Sequence, residues 1–246
     1  MKNRICAVVA VTFLCFLSSC GGGGNSSSAI NVAGNWQFSA TSTVFGFNST
    51  ATGQLNQSGS SVSGTMSLSG TPCAQSASFT GNVSGTNFSA TLDENGQNVS
   101  FNGTLAANGS SVSGTSTAPA GGCTNGDAGT FTGERVSMMN GVFIGAFGPS
   151  NSIPANVVTR LHDDGGSVTG SATITNSLCF HSLNITGSVE GFNVKLHGSS
   201  GDESQTITFH GTFDQPSKSL TLEYAVSGGS CSGESGTAQL KYLGQQ

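Results

Sequence analysis

Few residues of the sequence are charged, and this limits the classes of partner that the protein is expected to bind. Charged residues make up 8% of the chain, and the formal net charge is −5 at pH 7. Proteins that bind nucleic acid use clustered Lys and Arg to neutralise phosphates. The seven Lys and Arg of this chain form no such cluster. We therefore expect no nucleic-acid partner.

Sequence motifs of catalysis and metal binding are also missing. The sequence contains no nucleophile elbow, no His-Glu-x-x-His motif, no P-loop and no Cys-x-x-Cys pair. Three acidic pairs begin at Asp93, Asp163 and Asp202. They lie at predicted hairpin turns, where Asp is favoured for backbone reasons. We expect no catalytic residues, no metal and no cofactor.

The N-terminus has the order of a secretion signal. Two basic residues precede an apolar run over 5–16, and a Leu-Ser-Ser-Cys tetrapeptide ends at Cys20. The run is shorter than the ~20 residues of a transmembrane helix. This segment resembles a bacterial lipoprotein signal, which is cut before a cysteine that is then acylated. The resemblance implies that residues 1–19 are removed and that Cys20 carries the lipid; an ordinary signal peptide cut elsewhere is the alternative.

The residues after Cys20 predict where the protein is held. Residues 20–29 are rich in Gly and Ser and predict a flexible tether. By analogy with lipoprotein sorting in two-membrane bacteria, Gly21 rather than Asp after the cysteine favours the outer membrane. We expect a protein anchored through its lipid to the bacterial cell envelope, on the periplasmic or the surface face.

Beyond the tether the sequence repeats itself. Residues 30–138 and 139–246 form two units of similar length, each long enough to bury its own core. The positions that match at a nearly constant offset are Trp36 with Phe143, Leu55 with Leu161, Val62 with Val168, Cys73 with Cys179, Phe88 with Phe192, Phe101 with Phe209, and Cys123 with Cys231.

Both units show the alternation of apolar and polar residues that is typical of strands with one buried face. The run from Val62 to Leu68 is one example, and helical spacing is nowhere sustained. Eight such runs in each unit, joined by short turns, predict a meander that closes into a barrel. The sequence thus predicts an all-β protein with two tandem eight-stranded barrels; a flattened β-sandwich is the alternative.

The ends of unit one carry a second resemblance. Its first strand begins Gly34-Asn35-Trp36, and Arg135 lies in its last strand. This pattern resembles lipocalin and avidin-type barrels, which open with Gly-x-Trp. The resemblance implies that Arg135 packs on Trp36 and plugs the closed end of the barrel, a structural role. Unit two has Phe143 in place of the tryptophan, so the plug is not implied there.

Four cysteines follow Cys20, two in each unit, in a chain that its signal sends to an oxidising compartment. The repeat predicts disulfide bonds between Cys73 and Cys123 and between Cys179 and Cys231; free thiols or a metal site are the alternatives. Each bond joins two connections at the same end of its predicted barrel. The bond would therefore strap one mouth of that barrel.

Apolar residues in predicted loops give the candidate site. Phe45 and Phe47 lie in the first connection of unit one, and Phe180 and His181 lie at the corresponding end of unit two. We hypothesise that they line an apolar binding surface; a cover over the barrel ends is the alternative. The sequence favours a non-catalytic envelope module, binding or structural, that partners an envelope protein or a small apolar ligand. A lipocalin-like carrier, which needs a partly empty interior, and more remotely an envelope enzyme are the alternatives.

Overall fold

The computed structural model describes residues 29–123, 125–149 and 153–245. The signal segment 1–19, the anchor Cys20 and the tether as far as residue 28 lie outside the described residues. All regular secondary structure in the described part of the chain is β-strand. No helix among these residues is long and apolar enough to span a membrane.

Barrel 1 is a closed ring of eight antiparallel strands that neighbour one another in sequence order. Phe38 pairs with Ala51 on one side and with Gly133 on the other, and this double pairing of the first strand closes the ring. Closure leaves no unpaired strand edge. The strands are β1 (Gly34–Ser42), β2 (Asn48–Ser58), β3 (Ser61–Ser69), β4 (Ser76–Ser84), β5 (Asn87–Glu94), β6 (Gln97–Leu105), β7 (Ser111–Thr117) and β8 (Ala128–Arg135).

Barrel 2 closes in the same way, because Phe147 pairs with both Ala155 and Ala238. The prediction of an all-β protein with two tandem eight-stranded barrels is confirmed, and the sandwich alternative is wrong because each sheet closes on itself. Its strands are β9 (Gly141–Gly148), β10 (Ala155–Asp164), β11 (Ser167–Thr175), β12 (Ser182–Glu190), β13 (Asn193–Ser199), β14 (Thr206–Asp214), β15 (Ser219–Ser227) and β16 (Ser235–Gly244).

Each barrel buries alternate residues of its strands in a core of its own. In β10 the odd-numbered residues from Ala155 to Asp163 are buried, and the residues between them are exposed. A fully buried Val, Leu or Phe side chain contributes about 1.5–3 kcal/mol relative to an exposed one. The alternation of apolar and polar residues in the sequence therefore matches the alternation of buried and exposed side chains in the strands.

Two inward-facing glycines allow the sheet of barrel 1 to coil tightly. Gly103 and Gly114 face each other across β6 and β7. A Cβ atom on Gly114 would lie 2.5 Å from the Cα atom of Gly103 and 2.0 Å from the Asn102 carbonyl oxygen. No larger residue fits without moving the backbone, which accounts for glycine at this inward position.

The connections of a meander alternate between the two ends of its barrel. The mouth of barrel 1 is formed by the β1–β2, β3–β4, β5–β6 and β7–β8 connections, and the mouth of barrel 2 by the β9–β10, β11–β12, β13–β14 and β15–β16 connections. At the closed end of barrel 1, Trp36 is 1% exposed. Its indole N–H donates to the carbonyl oxygen of buried Val32 at 2.7 Å, so the segment before β1 covers this end.

The closed end of barrel 2 contacts the wall of barrel 1. The Asn35 side chain donates to the Gly191 carbonyl at 3.0 Å and accepts from the Gly191 N–H at 2.9 Å. The Phe192 N–H donates to the Gln37 side chain at 3.1 Å. Asn35 is buried, although it faces away from the core of barrel 1, because the β12–β13 turn covers it.

Candidate functional site

A disulfide bond straps each mouth. Cys73 in the β3–β4 connection is bonded to Cys123 in the β7–β8 connection, with a sequence separation of 50 residues. Cys179 and Cys231 are bonded at the equivalent place in barrel 2, with a separation of 52 residues. Both predicted pairs are present in the structure. Each bond fixes two connections that enter the mouth from different parts of the ring.

Barrel 1 encloses a cavity of about 70 Å³ at its mouth. One water needs ~10–15 Å³ by this measure, so the cavity has room for a small organic group. Its lining is mainly apolar. The lining residues are Phe38, Ala40, Thr41, Ser42, Phe47, Ser49, Thr50, Ala51, Leu68, Thr71, Phe79, Phe88, Leu92, Glu94, Val99, Phe101, Ser116, Ala118, Asp127 and Phe131.

The floor of the cavity is a cluster of phenylalanine rings. Phe38 is stacked on Phe79 with ring centroids 5.8 Å apart, and Phe79 lies 6.1 Å from Phe88. Phe131 meets Phe101 edge to face at 5.1 Å. Aromatic pairs of this geometry stabilise one another, and together these rings form a continuous apolar surface.

Two carboxylates lie at the rim of the same cavity. Glu94 ends β5, is 7% exposed, and accepts a hydrogen bond from the Thr71 hydroxyl at 3.0 Å. Asp127 precedes β8 and accepts from the Ser42 hydroxyl at 2.6 Å. Burial raises the pKa of Glu94 above its ordinary range, although the Thr71 hydrogen bond opposes part of this effect.

Barrel 2 has the same strands and strap but a smaller cavity, of about 30 Å³. Three aromatic residues of barrel 2 stand where barrel 1 has small ones, and all three lie toward the mouth. Barrel 1 has Ala40, Ala74 and Ser116 at the positions where barrel 2 has Phe147, Phe180 and Tyr224, respectively.

The equivalence of these positions follows from hydrogen bonds. Leu68 N–H donates to the Gln75 carbonyl at 2.7 Å, and Ile174 N–H donates to the His181 carbonyl at 2.8 Å, so the two strapped connections have equal length. Ala74 and Phe180 each follow the bonded cysteine. Tyr224 and Ser116 are matched because they pair with the equivalent Phe209 and Phe101.

The aromatic residues of barrel 2 fill its mouth and partner its acid. Phe147 meets Tyr224 edge to face at 5.3 Å. The Tyr224 hydroxyl donates to Glu234 at 2.8 Å. Burial raises the pKa of Tyr224, and Glu234 raises it further. Glu234 precedes β16 as Asp127 precedes β8, so the two acids are equivalent. In barrel 2 this acid already accepts a hydrogen bond from a tyrosine of its own barrel.

The structure divides the four residues of the hypothesised apolar surface between the two barrels. Phe47 is half-buried and lines the cavity of barrel 1, whereas Phe45 is 54% exposed and lies outside the lining. Phe180 is 2% exposed within the core of barrel 2, and His181 beside it is exposed. Of the four hypothesised residues, Phe47 is therefore the one that lines the cavity of barrel 1.

The closed ends hold the residues of the expected plug. Trp36 and Arg135 are partners across β1 and β8. The Arg135 guanidinium donates to the Asn31 carbonyl at 3.1 Å, which ties the segment before β1 to the barrel. In barrel 2, where the resemblance implied no plug, the Lys218 ammonium lies 4.9 Å from the centroid of the Tyr242 ring.

The two carboxylates at the rim of the cavity were not predicted from the sequence. Asp93 is a turn residue as expected, since its carboxylate accepts the Gly96 N–H at 2.6 Å. Glu94 instead faces the cavity. The signal for this was present, because Phe88 and Leu92 alternate in step with Glu94 along β5 and place all three side chains on the inner face.

One group of potential metal ligands lies in the described part of barrel 2. The ligand atoms of Cys179, Cys231 and Glu234 lie within 4.8 Å of one another. Both sulfur atoms are bonded to each other in the strap, and a thiolate is the form of cysteine that binds metal. The oxidised group is therefore a structural strap beside a hydrogen-bonded acid.

No family model and no curated protein sequence matches the chain. Among solved structures, the crystal structure of kievitone hydratase from Nectria haematococca aligns over 88% of this chain and 91% of that chain. The sequence identity is 10% and the TM-score is 0.27. A likeness of this degree carries no argument about fold or activity, so the function rests on the geometry of the barrels.

Proposed function

We propose that this protein is a non-catalytic binding module of the bacterial cell envelope, in which barrel 1 takes up a small, largely apolar ligand at its strapped mouth. The observation that carries the proposal is the cavity of about 70 Å³ with its floor of phenylalanine rings. Sites for small ligands are typically concave and apolar, with a few polar groups that fix orientation. Barrel 1 has all of these features.

Barrel 2 supports this proposal as an internal comparison. It shares the topology and the strap, yet its cavity is about 30 Å³, and Phe180 and Tyr224 are both buried in its core. At the equivalent positions barrel 1 has the small residues Ala74 and Ser116. In this proposal barrel 1 binds the ligand and barrel 2 has a structural role. The carrier hypothesis therefore applies to barrel 1.

The polar groups of the cavity favour binding over catalysis. Thr71 and Ser42 hydroxyls hold the two carboxylates, and the rest of the described lining consists of apolar and hydroxyl-bearing residues. The described lining contains no His, Cys or Lys that could act with these carboxylates as a nucleophile or proton-transfer partner. We therefore assign the rim to recognition.

The proposal also includes the location of the protein in the cell envelope. Two disulfide bonds indicate an oxidising compartment, outside the cytoplasm. With the signal-like N-terminus, this supports a lipid on Cys20 that holds the barrels at the outer membrane. Feeding cells a clickable fatty acid should label the protein, and Cys20→Ala should abolish the label; a labelled Cys20→Ala variant would exclude the anchor.

Ligand uptake is tested on the mature chain carrying Cys20→Ala, so that no attached acyl chain competes for the cavity. Trp36 is the single tryptophan and stacks on Phe38 at 5.5 Å, so its fluorescence reports on the floor of the cavity. We expect saturable fluorescence changes, matched by native mass spectrometry, with small neutral compounds such as benzyl alcohol and short-chain alcohols.

A pair of substitutions in one loop gives the control. Phe47→Ser removes an apolar lining residue and should weaken binding about tenfold, since a buried Phe contributes about 1.5–3 kcal/mol. Phe45→Ser makes the same chemical change outside the lining and should leave affinity unchanged. Equal effects of the two substitutions, or no saturable binding, would overturn the proposal.

A further inference from the structure

The charge at the rim of the barrel 1 cavity has one sign. Glu94 and Asp127 both line it, and its lining contains no Lys, Arg or His among the described residues. Glu94 is more than nine-tenths buried. A carboxylate removed from water is costly unless a charge or several hydrogen bonds compensate it. The Thr71 hydroxyl supplies one hydrogen bond to Glu94, from one side.

The floor below the rim is suited to the remainder of a cation. Phe38, Phe79 and Phe88 give an apolar surface for a hydrocarbon or aromatic body. Aromatic faces also attract cations, because the ring quadrupole is negative there. An anionic head group such as the carboxylate of a fatty acid would instead meet two carboxylates at the rim.

We propose that the ligand of barrel 1 is a small organic amine, with its ammonium group at Glu94 and Asp127 and its apolar body on the phenylalanine floor. This inference rests on the proposed function and adds the charge of the ligand to it. The ammonium donates hydrogen bonds to the carboxylates, while Thr71 and Ser42 hold these carboxylates in place. Such charge-assisted hydrogen bonds are stronger than neutral ones.

Barrel 2 has no equivalent site. Its acid at the matching position, Glu234, accepts a hydrogen bond from Tyr224 at 2.8 Å. Phe180 is buried in the mouth beside it. The amine is therefore expected to bind once per chain, in barrel 1, and to alter the fluorescence of Trp36.

The experiment compares three compounds that share one ring and differ in charge: benzylamine, benzyl alcohol and benzoate. Binding to the mature Cys20→Ala chain is measured at pH 7 by calorimetry and Trp36 fluorescence. We expect benzylamine to bind about tenfold more tightly than benzyl alcohol, the gain of a hydrogen bond to a charged group, and benzoate to bind most weakly.

Glu94→Gln tests whether the charge of Glu94 contributes to binding of the amine. It keeps the size of the side chain and removes its charge, so it should weaken benzylamine binding about tenfold and change benzyl alcohol binding by less than about twofold. Glu134→Gln is the matched control: it makes the same charge change on the exposed outer wall of the same barrel and should leave both affinities unchanged.

The outcomes separate the two proposals. If benzyl alcohol binds as tightly as benzylamine, or if Glu94→Gln leaves their ratio unchanged, the amine is excluded and the apolar binding function stands. If benzoate binds best, the sign of the charge is wrong. If none of the three compounds binds, the binding function falls together with the inference.

Discussion

Glu94 illustrates how one residue departs from its local pattern. It belongs to an acidic pair before a turn, yet β5 directs its side chain into the barrel, where it is 7% exposed. Burial disfavours the charged form and raises the pKa of Glu94 above 4.5. An ionised Glu94 therefore destabilises the empty barrel, which is the usual relation between a functional group and its scaffold.

This position gives a prediction for stability against pH. The folded protein holds the Glu94 proton more tightly than the unfolded chain, so the stability that Glu94 contributes falls as pH rises through its raised pKa. Glu94→Gln removes this dependence. We expect the variant to be more stable than the unmodified protein at pH 7, by an amount that shrinks toward zero below pH 4.5.

The measurement is denaturant unfolding of both proteins between pH 3 and pH 8, followed by Trp36 fluorescence. Exposed Glu134 supplies the control, because Glu134→Gln should show no comparable trend. A variant that loses stability at pH 7 would show that ionised Glu94 stabilises the empty barrel, against the prediction.

Among the elements, the two strapped connections have the same length and the same closing hydrogen bond but different contents. Phe180 enters the core of barrel 2, whereas barrel 1 has the small residue Ala74 at the equivalent position. Tyr224 and Ser116 repeat this contrast on β15 and β7, the strands that lead into the other connection of each strap. The strands thus form the same closed barrel in both units. The size of the side chains near the mouth is what differs between the two interiors.

Phe180→Ala tests this reading of the connection. Truncation of a buried Phe leaves a cavity and costs about 3–5 kcal/mol, so barrel 2 should unfold at markedly lower denaturant. Both tyrosines lie in barrel 2 and the single tryptophan lies in barrel 1, so the two emissions follow the barrels separately.

Phe45→Ala serves as the comparison for Phe180→Ala. Phe45 is exposed on a connection of barrel 1, and a surface substitution is worth within about 0.5 kcal/mol. If Phe180→Ala were as mild as Phe45→Ala, Phe180 would not close barrel 2, and the difference between the two cavities would need another cause.

In the whole molecule, the barrels are joined side to end. Hydrogen bonds link Asn35 and Gln37 of the barrel 1 wall to the β12–β13 turn at the closed end of barrel 2, and Ser67 donates to Glu190 beside them. These contacts use neither mouth. The arrangement holds the two barrels together while it leaves the cavity of barrel 1 accessible.

Asn35→Ala tests the coupling of the barrels. It leaves the N–H and the carbonyl of Gly191 without their partner, at a cost of about 1–3 kcal/mol. We expect the tryptophan and tyrosine unfolding transitions to move apart in this variant. Asn82→Ala, at an exposed asparagine of β4, should leave both transitions in place. Unchanged, coincident transitions in Asn35→Ala would show that Asn35 does not couple the barrels.

The candidate site was predictable only in part. Phe47 stood out because an apolar residue in a loop is unusual, and it lies in the lining of the cavity. Glu94 was not found, because the turn propensity of its neighbour Asp93 masked its inward position. Phe180 was expected at a surface, but the same apolar character buried it. A hydrophobic residue at a barrel end fits either role until the space beside it is known.

The sequence by itself determined the strands, their antiparallel order, the duplication and the cysteine pairing, because these follow from a two-residue period and from anchors repeated at equal spacing. Only the tertiary structure decided that a cavity remains beside Ala40 and Ser116, that Glu94 lines it, and that Asn35 contacts the other barrel. The physical reason is that empty space and burial depend on side chains that meet across a closed ring, far apart in sequence.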